Sequence, residues 1–179
     1  MKKTKITDLR KYLKQNSEKE LIQEIVELFK VNKQVQEIYS IRVNPNNEEF
    51  LLAEYKDKIS EQFFPNRGMN VLNYNVLKKL ISDFEKAAVK KSSIIELLLC
   101  YVENGVDFTN SYGDIDGKFY NNIARTFEKA LKLIGKNDLE EAFYLKCQLI
   151  MNDSIGIGWG FGDWMEELFY DYLSDILDE

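Results

Sequence analysis

The chain has no histidine among its 179 residues. That removes the side chain that titrates nearest neutral pH and serves most often as general base or metal ligand. Ser-His-Asp and Cys-His arrangements are excluded, as is every zinc site built on imidazole. Cysteine is scarce too. Cys100 and Cys147 are far apart, and each lies in an apolar helical pattern. They read as small core residues, not as a disulfide framework or a reactive thiol. Only two prolines occur, Pro45 and Pro65, so little interrupts regular structure. No apolar run approaches the roughly 20 residues a spanning helix needs. The basic start, Met1-Lys2-Lys3-Thr4-Lys5, is not followed by the apolar stretch of a signal peptide. These absences predict a cytoplasmic protein that neither enters a membrane nor carries a recognisable catalytic motif.

Charge is present in quantity but unevenly placed. Residues 1–91 carry 18 Lys and Arg against 13 Asp and Glu, or +5; residues 92–179 carry 6 against 17, or −11. Phosphate affinity comes from clustered Lys and Arg, so a chain of net charge −6 predicts no strong nucleic-acid partner. The split favours protein partners, with the two ends of the molecule preferring different ones or each other.

Hydrophobic residues recur at helical spacing almost throughout. Leu21, Ile22, Ile25, Val26 and Phe29 mark one helix, opened by the capping-box pair Ser17 and Glu20. Leu51, Tyr55, Ile59 and Phe63 mark a second, and Leu77, Leu80, Ile81 and Phe84 a third. Ser93 with Glu96 opens a fourth, apolar nearly all round from Ile94 to Val102, which predicts the buried centre of the domain. Phe119 to Ile134 and Leu139 to Ile150 give two more. The last runs from Asp163, capped by Asp163 with Glu166, through Trp164, Leu168, Phe169 and Tyr172 to Ile176 and Leu177. Shorter helices fit 7–14 and 33–43. The expected fold is all-α: a single domain over residues 1–179, built as an irregular, solenoid-like array of eight or nine helices in hairpins, with a compact bundle as the alternative.

Two segments break the helical pattern. Gly156-Ile157-Gly158-Trp159-Gly160-Phe161-Gly162-Asp163 holds four of the nine glycines. Its apolar residues need packing partners, which predicts a shaped loop over 154–163 held against the body of the protein. It is not a dinucleotide fingerprint, because neither the spacing nor a preceding strand is there. Residues 104–117 read as a second loop, containing Asp107, Asn110, Tyr112, Asp114 and Asp116. Asp114-Ile115-Asp116-Gly117 looks like the middle of a calcium loop, but with Gly117 at the sixth position the first falls on Tyr112 and the twelfth on Ile123. Asp116 is better suited to capping the following helix. No cofactor is predicted; the alternative is a Mg²⁺ or Ca²⁺ ion on Asp107, Asp114 and Asp116. If both loops adjoin, Asp107, Asn110, Tyr112, Asp114, Asp116, Trp159, Phe161 and Asp163 form the candidate feature.

Several of these segments carry a resemblance. Phe63-Phe64-Pro65-x-Arg67-Gly68, Tyr101-Val102-Glu103-x-Gly105-Val106-x-Phe108-Thr109-Asn110, Tyr112-Gly113-Asp114-Ile115-Asp116 and Gly156-Ile157-Gly158-Trp159-Gly160-Phe161 resemble a bacterial domain-of-unknown-function family, number 6155. Tyr12-Leu13-Lys14 followed by Ser17 and Glu20-Leu21 is similar as well. The resemblance implies a small all-helical bacterial protein and no particular activity. A non-enzymatic interaction or regulatory module is therefore the expected function. The alternative is a ligand binder or enzyme using the acids and aromatics of 104–117 and 154–163.

Overall fold

The computed structural model describes residues 3–66 and 72–174. Among them lie nine helices: α1 (Ile6–Leu13), α2 (Glu18–Val31), α3 (Lys33–Val43), α4 (Asn47–Phe63), α5 (Tyr74–Ala87), α6 (Lys91–Tyr112), α7 (Gly117–Lys136), α8 (Glu140–Asp153) and α9 (Phe161–Leu173). No strand occurs among the described residues. Arg67, Gly68, Asp175, Ile176 and Leu177, named in the sequence reading, lie outside them.

Substantial packing joins helices only one or two apart in order: α2 with α3, α3 with α4 and α5, α4 with α5 and α6, α5 with α6, α6 with α7 and α8, α7 with α8, and α7 and α8 with α9. That is the contact pattern of stacked hairpins, each touching its neighbours. The middle of the stack is the driest part. α6 buries Ile95, Leu97, Leu98, Leu99 and Val102, and α7 lays Phe119, Ile123, Phe127 and Leu131 against it. The side chain of Ile123 packs directly onto Gly105, where a Cβ would overlap Ile123 Cδ1.

Helix starts follow local chemistry in part. Ser17 and Glu20 form the expected capping box on α2. Asp116 Oδ1 accepts from the Phe119 amide at 2.8 Å and caps α7. Two expected caps are not used. α6 begins at Lys91, which leaves Ser93 buried inside the helix, and Glu96 turns to lysines instead. α9 begins at Phe161 behind Gly160, whose φ of 68° makes the left-handed entry, so Asp163 sits in the first turn without capping it. The reading of 104–117 as one loop is corrected as well. α6 continues to Tyr112, and only residues 113–116 are non-helical. Val106 and Thr109 are buried and Phe108 is half-buried against the core, so packing carries the helix past Gly105.

Candidate functional site

The two irregular segments do meet, at the joint between the end of α6, the start of α7 and the turn after α8. Asn110 Nδ2 donates to the Asp153 carbonyl at 3.0 Å, which ties α6 to the end of α8. Gly158 lies against Asp114: a Cβ on it would be 3.0 Å from Asp114 Oδ2. A second close approach shapes the turn from inside. A Cβ on Gly162 would fall 2.7 Å from the Ser154 backbone oxygen. The ring of Tyr120, at the start of α7, lies 4.9 Å from that of Phe161.

Tyr120 organises the polar groups. Its hydroxyl donates to Asp114 Oδ1 at 3.2 Å, lies 2.8 Å from Thr109 Oγ1, and accepts from the Ile115 amide at 3.3 Å. Thr109 in turn donates to the Gly113 carbonyl. The aspartates are thus divided by role. Asp116 caps, Asp114 holds Tyr120, and Asp107 stands a turn earlier on α6. Burial, reinforced by Asp153, raises the pKa of Asp107. No group of three acidic or cysteine side chains suited to a metal ion occurs among the described residues. A cavity of about 220 Å³ opens at the joint, lined by Thr109, Asn110, Gly113, Asp114 and residues 155–157.

The aromatics divide as well. Phe161 is buried, and Tyr112 stacks on Phe64 and meets Phe108 at a tilt while staying exposed. Trp159 is 70% exposed and holds a left-handed φ of 60°. The expectation that the loop's large apolar residues all pack inward is therefore met by Phe161 and Ile157 and not by Trp159 or Ile155. Asp163 is exposed on the outer side of α9.

Three features were not singled out by sequence reasoning. First, α1 and α2 bury no residue at all. Ile22, Ile25, Val26 and Phe29 lie within one helical arc of α2 and are all exposed, as are Ile6 and Leu9 on α1. Second, α7 presents Arg125, Lys129, Lys132 and Lys136 along one side, beside Leu133 and Trp164, in a groove of about 660 Å³. The −11 tally of the second half concealed this row, which holds four of that half's six cations. Lys129 and Lys132 are engaged by Glu85 and Glu128. Third, Glu96 accepts from Lys56 of α4 at 2.6 Å and Lys146 of α8 at 3.1 Å, joining three helices through one carboxylate. Burial opposes its ionisation, but the two ammonium groups outweigh it and hold the pKa low. Glu103, 3.4 Å from Lys146, goes the other way, because burial dominates there. Cys100 and Cys147 are buried and unpaired, and burial pushes the Cys147 thiol up to about 12.

Comparison with known proteins adds one match. The model of a family described as "Family of unknown function (DUF6155)" matches residues 3–172. No curated protein and no solved structure matches the chain.

Proposed function

The chain belongs to the DUF6155 family, and from that premise we propose that it is a non-enzymatic protein-interaction module whose docking face is the α1–α2 hairpin. One observation carries the reading. A fourteen-residue amphipathic helix, α2, buries none of its residues and leaves Ile22, Ile25, Val26 and Phe29 in water. Contiguous exposed apolar surface of this kind marks interaction sites in soluble proteins. No helix among the described residues is long and apolar enough to cross a membrane, and the two unpaired thiols support a cytoplasmic setting.

Photo-crosslinking from position 26 in intact cells tests this. Polypeptide adducts that form from Val26 and vanish when Phe29→Glu is added are expected. Adducts to lipid alone, or none to any polypeptide, would overturn the reading.

A ligand-binding reading of the 113–116 and 154–160 joint has narrower support, namely the cavity beside Asp114. Asp114 and Asp116 already accept from Tyr120 and the Phe119 amide. If a divalent cation binds there, millimolar Mg²⁺ or Ca²⁺ raises the melting temperature, and Asp114→Asn with Asp116→Asn removes the rise.

A further inference from the structure

Arg125, Lys129, Lys132 and Lys136 follow one another along α7 at steps of four, three and four residues. On a helix that spacing sets them in one row about 16 Å long. All four are exposed, away from the face that α7 buries. Lys129 is engaged by Glu85 of α5, and Lys132 by Glu128 of α7 itself. Arg125 and Lys136, at the two ends of the row, have no ion pair among the described residues. Glu128 is the one acid among the described residues that lines the groove, so the lining carries four positive charges against one negative. The exposed acids of α9, from Asp163 to Asp171, neither line the groove nor pair with the row. The apolar part of the lining is Leu133 and the half-buried Trp164, both packed against the core.

We infer that this groove docks an acidic segment of a partner protein that also carries apolar side chains. Charge complementarity selects the acidic part. Arg125 and Lys136 offer positive charge with no internal competitor, and exposed ion pairs such as those of Lys129 and Lys132 are weak enough to be exchanged. Two further features favour a polypeptide over a phosphate chain. Glu128 interrupts the cations, and a polymer charged at every unit cannot step around it, whereas a polypeptide can set a neutral side chain there. Leu133 and Trp164 offer contact to an apolar side chain, which a phosphate backbone leaves unused. The molecule as a whole carries −6 in spite of this row, so it repels a long polyanion that runs past the groove. The groove is a second surface, separate from the α1–α2 hairpin, and the inference does not rest on that reading.

The test is a fluorescence titration on the full chain. Trp159→Phe leaves Trp164 as the sole tryptophan, so its emission reports from the groove itself. The probe is a synthetic helical peptide of Glu, Leu and Ala whose glutamates repeat the spacing of the row. A saturable change in Trp164 emission at submillimolar peptide is expected, weakening at high salt as the charges are screened. The same peptide with Gln in place of Glu is expected to bind at least about tenfold more weakly, and Arg125→Gln with Lys136→Gln to weaken the Glu peptide by about tenfold, as the loss of two charge contacts implies. Both substituted positions are exposed, and circular dichroism checks that the variant is folded. Phe29→Glu on α2 is expected to change nothing. No response up to about 1 mM peptide overturns the inference, and so do equal affinities for the Glu and Gln peptides. A polyphosphate of the same charge that binds as tightly as the Glu peptide also overturns it, by showing a general polyanion surface. Loss of binding on Phe29→Glu would place the peptide on α2 and overturn it too, while leaving the α1–α2 reading in place.

Discussion

At the scale of single residues, two positions are held by geometry that no neighbour in sequence announces. Gly162 faces the Ser154 carbonyl too closely for any side chain. The obstacle is backbone, so it cannot swing aside. Gly162→Ala is expected to cost about 1–3 kcal/mol, as overpacking does, measured by urea melts. Glu96 is the second. Its carboxylate joins α4 and α8 to α6 while remaining partly solvated. Because its folded pKa is depressed, its contribution is fully present above the ordinary value of 4.5 and is lost as pH falls through the lower folded value. Glu96→Gln should therefore cost on the order of 1 kcal/mol at neutral pH, with solvent screening limiting the loss. The difference from wild type should close as pH falls through that lowered folded value. A difference that persists unchanged into acid would assign the effect to packing.

At the scale of helices, the same apolar pattern has two fates. α6 and α2 both repeat hydrophobic residues at helical spacing, yet one is enclosed and the other is not. Leu98→Ala in α6 is expected to cost about 2–5 kcal/mol through the cavity it opens. Phe29→Glu in α2 is expected to change stability by no more than about 0.5 kcal/mol. Parallel denaturant titrations check both values. A large cost at Phe29 would mean that the stripe is covered within the monomer.

For the whole molecule, linear stacking means that stability need not be shared evenly. Among the described residues α2 packs substantially against α3 alone, with Tyr12 of α1 donating to its Glu24, whereas α6 packs against four other helices. The α1–α2 hairpin is expected to open locally at a small fraction of the global unfolding free energy. Hydrogen exchange should show α1 and α2 amides exchanging far ahead of those in α6 and α7.

The all-helical class, most helix positions, the capping roles of Ser17 and Asp116 and the buried cysteines were legible in the sequence, because each depends on local spacing or on one side chain reaching three residues along. The meeting of the two irregular segments could be inferred only as an expectation, and its content could not. That α6 runs on to Tyr112 depends on α7 crossing at Gly105. That Trp159 turns outward while Phe161 turns in depends on where Ser154 meets Gly162. Charge tallies along the chain likewise hid the cationic row of α7, since helical geometry, not sequence order, collects it on one side. An amphipathic pattern states that a helix has an apolar face. Only the tertiary structure decides whether another helix of the same chain reaches that face, and among the described residues none covers the outer stripe of α2.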